Sequence, residues 1–311
     1  MKTRPFLVAA LAAVTFPLSA QQSAPFTVAE TGRGYGSLQD AVDAIGGGEG
    51  TVVFAPGTYR ECAVQRAGRV TYRASEPGQS ALSGVACESK GALVLGGESA
   101  TVIGLVFSDI AVPDRNGAGI RLERGELAVT QSWFRDSEQG ILTAHDPNIR
   151  LRVDKSTFTR LGTCEGDGGC AHSIYTGEIA ETAVTRSRFE AGTGGHYVKS
   201  RAARTIVEDS SFDDANGRGT NYMIDLPNGG TGRIVGNWFV QGRDKKNWSA
   251  FIAVGAEQAN YSSDGLVISD NDARLVPGLS RSPAFVADWT GDRLQIGRND
   301  LGAGLKPFDR R

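Results

Sequence analysis

The chain has three histidines, His145, His172 and His196, and all fall in its middle third. His172 and His196 lie 24 residues apart, and each precedes by three a residue with chemistry of its own, Tyr175 and Lys199. Alternation with apolar neighbours puts Arg121, Thr143, Tyr175, Lys199 and Asp225 in one outward set, with Leu142, Ile174, Val198 and Ile224 inward. Glu123, His145, Gly177 and Arg201 form a neighbouring set. Such groups on one face could neutralise a carboxylate, remove the α-carbon proton it acidifies, and protonate a departing oxygen. These are the three requirements of β-elimination. Arg201 is assigned to the carboxylate, which its planar fork can hold bidentately. Lys199 is the candidate base, set beside Arg201, a cation that works against a second positive charge. Tyr175 or His196 supplies the acid, with His172 alongside and Asp225 orienting either. Arg121, Glu123, His145, Asn228 and Arg204 are the candidate substrate contacts, Arg204 adding to a cationic patch with Lys199 and Arg201.

For these residues to meet, the strands that carry them must stack about 4.8 Å apart, and the sequence has a repeat that would stack them. A β-branched residue is followed five positions on by an aromatic or apolar one in Val102-Phe107, Val129-Phe134, Val153-Phe158, Val184-Phe189, Val207-Phe212, Ile234-Phe239, Ile268-Ala273 and Ile296-Leu301. The second members step by 23 to 34 residues. Two residues before them stand Ser132, Ser156, Ser187, Ser210, Asn237, Asn271 and Asn299 in turn, types that bond backbone at a bend and can form a ladder. The period predicts an all-β parallel solenoid of about ten coils, its longer steps marking enlarged loops. A β-sandwich would need hairpin signals every 8–12 residues. Residues 37–45 read as one amphipathic helix, with Ser37 as N-cap and Gly46-Gly47-Gly48 as terminator, capping the open end of the core.

Composition agrees with a packed, exported protein. The 311 residues are 40% apolar and 22% charged, with 13 Phe, 7 Tyr and 4 Trp, which excludes disordered and collagen-like chains. A formal charge of −2 gives no basic excess for nucleic acid. Lys2 and Arg4, the apolar run from Phe6 to Phe16, and Pro17-Leu18-Ser19-Ala20 read as a signal peptide over 1–20, leaving 21–311 as a single domain. No later segment is long enough to span a membrane. A secreted or periplasmic monomer is expected. In that oxidising compartment the four cysteines are expected to pair 62–87, about one coil apart, and 164–170, closing a Gly-rich loop. That loop, with Glu165 and Asp167, would rim the cleft. Paired C-x2-C knuckles for a zinc cluster are missing from the spacing.

The helical cap, the segment Thr51-Val52-Val53-Phe54-Ala55-Pro56-Gly57-Thr58-Tyr59 and the coils after it resemble right-handed parallel β-helix proteins of the pectate-lyase-like superfamily over about 25–305. The resemblance implies a groove along the stacked strands that takes a polysaccharide. Local cations on a net acidic chain point to an acidic, uronate-containing one. The strand Lys199-Ser200-Arg201 looks like the lysine-and-arginine arrangement of β-helix lyases acting on alginate or dermatan, which makes calcium the one cofactor to consider. A polysaccharide lyase is the expectation. Hydrolysis needs two flanking carboxyl groups, for which Glu123, Asp146, Asp225 and Asp288 are available without an adjacent pair. The same fold would also serve uronate epimerisation or non-catalytic sugar binding.

Overall fold

The computed structural model describes residues 1–2, 24–165 and 169–311. The expected signal peptide therefore lies outside the described residues except for its first two, and so does Asp167.

The repeated phrase turns out to be a corner. In each coil its β-branched member lies in a strand of one sheet and its aromatic member in a strand of the next, as with Val153 in Arg150–Asp154 and Phe158 in Thr157–Leu161. Between them the chain bends through one residue in the left-handed region, with φ of 49° at Gln131, 47° at Lys155 and Arg186, 50° at Asp209 and 70° at Gly236. A side chain there costs roughly 1–2 kcal/mol. The next residue helps offset it: the Ser132 N–H donates to Ser156 Oγ at 3.3 Å, Ser156 to Ser187 at 3.2 Å and Ser187 to Ser210 at 3.1 Å. Asn237, Asn271 and Asn299 continue the ladder.

Strands of successive coils form three sheets of twelve, ten and ten strands. Pairing is parallel except at the N-terminal end, where Phe26–Val28 lies antiparallel between Arg33–Tyr35 and Glu49–Phe54. The helix Leu38–Ile45 has Ser37 as its N-cap and buries Leu38, Ala41 and Val42 against that end. Inside, Phe107, Phe134, Phe158, Phe189, Phe212 and Phe239 stack with centroids 4.8 Å apart. The result is the expected all-β, right-handed parallel β-helix. Both expected disulfides are present, Cys62–Cys87 between adjacent coils and Cys164–Cys170 closing its loop.

Candidate active site

The third sheet carries the chemistry. Its register pairs Arg121 with Leu142, Leu142 with Tyr175, Tyr175 with Lys199, Lys199 with Asp225 and Asp225 with Ala253. The column is therefore as expected but for one coil. Leu142, expected inward, takes the outward place, while Ile141 joins Ile174, Val198 and Ile224 in the core. Thr143 is buried instead, its hydroxyl accepting the Gly177 N–H at 2.9 Å. Tyr175, Lys199 and Asp225 are consecutive rungs, and Arg201 stands two residues beyond Lys199 on the same strand end. Lys199 Nζ and Arg201 Cζ lie 5.6 and 5.9 Å from the Tyr175 ring centroid, close enough for cation–π attraction.

Three residues ahead of the column runs a second one. His172 and His196 stack with centroids 5.0 Å apart, and the His172 Nδ1 accepts the His196 N–H at 2.9 Å. Tyr222, three residues before Asp225, continues the row 5.6 Å from His196. Burial first, then the nearby cations, hold both imidazoles well below their ordinary value, so both are neutral at neutral pH. Behind them Asp214 accepts from the Tyr197 hydroxyl at 2.7 Å, the Thr220 hydroxyl at 2.7 Å and the Lys245 ammonium at 3.0 Å. This buried cluster ties together the corners that lead into the strands of Lys199 and Asp225.

The group that organises the cations is Glu257, on the loop after strand Ala250–Val254. It accepts from Lys199 Nζ at 2.7 Å and from Arg201 through its other oxygen. The crowding expected between Lys199 and Arg201 is thus relieved by a carboxylate standing between them. Burial acts to raise Glu257, but the hydrogen bonds from Lys199 and Arg201 outweigh it and hold the carboxyl below its ordinary range. Arg201 also donates from Nε to the Tyr175 hydroxyl oxygen at 3.0 Å and from another nitrogen to Asn228 Oδ1 at 2.5 Å. Asn228 in turn donates to Glu178 at 2.9 Å.

Asp225 is almost fully buried, 3.4 Å from His196 Nε2 and 3.8 Å from Lys199 Nζ, and its Oδ1 has no hydrogen-bond partner. Burial raises its carboxyl from 3.8 to about 7, against the pull of Lys199. A carboxyl raised on folding contributes stability that is present below the unfolded value and is lost as pH rises through the folded one. Asp225→Asn, which stays neutral, is therefore expected to match wild type near pH 4 and to exceed it at pH 8 by about 1–3 kcal/mol. Thermal midpoints at the two pH values check this. A variant with no advantage at pH 8 would show that Lys199 and His196 fully compensate the buried charge.

The remaining expected contacts are not gathered here. Arg121 pairs with Glu123 at 3.2 Å, and Glu123 with Lys90 at 3.0 Å, farther toward the N-terminal coils. His145 is exposed and accepts the Glu178 N–H at 3.3 Å. Arg204 does not join the patch. It lies past the corner, in strand Arg204–Glu208 of the first sheet, 3.5 Å from Glu181. Sequence reasoning missed Glu257 and Tyr222. Tyr222 had a usable signal, the same three-residue offset as the two histidines.

Calcium asks for six to eight oxygen ligands. Both Glu257 oxygens are committed to cations, and among the described residues no three His, Cys, Asp or Glu side chains converge as a metal site would require. The residues present do not fit that ion.

No protein-family model and no curated protein matches the chain. Among solved structures it is similar to the alginate lyase from Paenibacillus sp. str. FPU-7, with a TM-score of 0.65 and 17% identity over 88% of this chain and 94% of that one. Weaker similarities are to ORF18 of Geobacillus virus E2, with a TM-score of 0.42 and 13% identity over 87% of this chain and 55% of that one, and to a mutant of the PL6 family alginate lyase AlyGC, with a TM-score of 0.38 and 15% identity over 88% of this chain and 52% of that one. At such identities the likeness is one of fold. The chain carries the right-handed parallel β-helix fold of the pectate-lyase-like superfamily.

Proposed function

We propose that the protein is an exported polysaccharide lyase that cleaves a uronate-containing polysaccharide by β-elimination. The observation that carries the reading is the joint placement of Tyr175, Lys199 and Arg201 around one carboxylate position. A uronate carboxylate at that position would be held by the Arg201 guanidinium, which favours charge developing as the α-carbon proton leaves. That proton passes to Lys199 Nζ. The electrons of the broken C–H bond form the new double bond, and the C–O bond to the leaving sugar breaks. Tyr175 is the better placed acid for the leaving oxygen. Its hydroxyl oxygen already accepts from Arg201 Nε, so its own proton is free to be given, whereas His196 is buried against Asp225. Asp225 and the histidine row then act by positioning Lys199. Export is supported by the two disulfides, and among the described residues no helix is long and apolar enough to cross a membrane.

One observation favours a second reading. Asp225 and Glu257 flank the same ammonium with their carboxyls shifted in opposite directions, the pattern of an acid and a base in hydrolysis. The near-complete burial of Asp225 behind Lys199 speaks against it. Incubation with a panel of acidic polysaccharides, alginate first, separates the two. Elimination leaves an unsaturated sugar, so ultraviolet absorbance should rise with reducing ends. Reducing ends without absorbance would transfer the case to hydrolysis, and binding without cleavage to a sugar-binding role.

A further inference from the structure

Every hydrogen-bonding edge of the cation pair is in use. Arg201 spends one nitrogen on Tyr175, one on Asn228 and one on Glu257, and Lys199 has Glu257 at 2.7 Å and Asp225 at 3.8 Å. A second carboxylate can reach the pair only by taking the place of one already there. Tyr175, Asn228 and Asp225 are built into the wall of the sheet and its turn. Glu257 is different: its side chain is 42% exposed, against 12% for Lys199 and 14% for Arg201, so it covers the cations from the solvent side.

We infer that Glu257 is a displaceable latch whose carboxylate holds the seat of the substrate's uronate carboxylate, so that substrate enters by exchanging one carboxylate for another. This rests on the elimination reading for the chemistry after binding, though not for the exchange itself. The loop backbone is pinned on both sides of the latch. The N–H groups of Glu257 and Gln258 both donate to the Pro227 carbonyl at 3.1 Å, Gly255 N–H donates to Leu226 at 2.8 Å and Tyr261 N–H to Asn228 at 2.9 Å. Release is therefore a rotation of one long side chain into water, where it regains rotamer freedom, and no loop needs to open. The exchange also selects. A uronate restores the partners that Glu257 gives up, whereas a neutral sugar in the same seat would leave two half-buried cations without a counter-charge, a penalty larger than the worth of an exposed pair. The latch thus screens for carboxylate-bearing sugars before any chemistry occurs.

Wild type, Glu257→Gln and Glu257→Ala are to be compared in two measurements: calorimetric titration with glucuronate as a bare uronate, and steady-state kinetics on the polyuronate that wild type cleaves. With the competitor removed, glucuronate should bind both variants about fivefold more tightly, and kcat/KM should rise by a similar factor through KM. Unchanged, weaker or undetectable glucuronate binding in both variants would overturn the latch. A tenfold or larger fall in kcat in both would overturn it as well, by placing Glu257 in the chemistry. The elimination reading fails by a separate result, wild type producing no ultraviolet-absorbing product from any polyuronate. Tighter glucuronate binding by the variants would still stand in that case and keep the exchange.

Discussion

Lys199→Ala is expected to lower kcat by about 10²–10⁴-fold, the usual contribution of a positioned proton-transfer group, while shifting the thermal midpoint by only a few degrees. The side chain points out of the sheet and supports little of the core. Its loss removes a cation from beside Asp225, so that carboxyl, already near 7, is driven further upward and stays protonated over more of the pH range. That response limits the stability cost. Two companions divide the remaining roles. Tyr175→Phe removes the transferable proton and should lower kcat with little change in KM. Arg201→Lys keeps the charge and loses the planar fork, so it should raise KM and lower kcat together, because Tyr175, Asn228 and the carboxylate are each met by a different nitrogen of the guanidinium. Near-normal turnover by Lys199→Ala and Arg201→Lys would move the site away from this column.

What could be read in the sequence was whatever each coil must repeat. Val153 and Phe158 recur as a pair because every coil turns the same corner, and Ser156 recurs because the corner exposes an N–H that the next coil must satisfy. The left-handed residue just before it left no trace. Only its backbone matters, and its side chain points outward, so Gln131, Lys155, Arg186, Asp209 and Gly236 serve alike. The antiparallel strand at the N-terminal end occurs once and has no period to reveal it.

The site shows the same division. Tyr175, Lys199 and Asp225 were legible because polar residues alternate with Ile174, Val198 and Ile224 in three successive coils. The rule failed at Ile141-Leu142, where two apolar residues are adjacent and alternation cannot choose between them; there the outward position takes Leu142. Arg204 was misplaced because Ala202 and Ala203 carry the chain around a corner that has no sequence marker of its own. Glu257 could not be placed at all. It belongs to the longest step of the repeat, 34 residues from Phe239 to Ala273, and where that loop lands is decided by Pro227 and Asn228, in the turn one coil earlier.

The largest effect on stability is expected from Phe158→Ala, at about 3–5 kcal/mol. The ring is fully buried and sits inside the stack, 4.8 Å from Phe134 on one side and from Phe189 on the other, with interplanar angles of 5° and 9°. Phe107 has the same burial but a single stacked neighbour, Phe134, so Phe107→Ala should cost less by roughly the 0.5–1.5 kcal/mol of one aromatic contact. In a solenoid each coil is held mainly by its neighbours, and an interior lesion weakens two interfaces where an end lesion weakens one. The cavity would also reach toward the candidate site. Phe158 packs against bare backbone at Gly140, where an added Cβ would come within 2.9 Å of the ring, and Gly140 lies in strand Gln139–Thr143, which pairs directly with the strand of Tyr175. Urea titration of both variants measures the two costs, and equal midpoints would show that the stack adds nothing beyond the area each ring buries. Activity measured below the transition should fall more for Phe158→Ala than for Phe107→Ala, because only the first leaves a void beneath the strand that pairs with Tyr175.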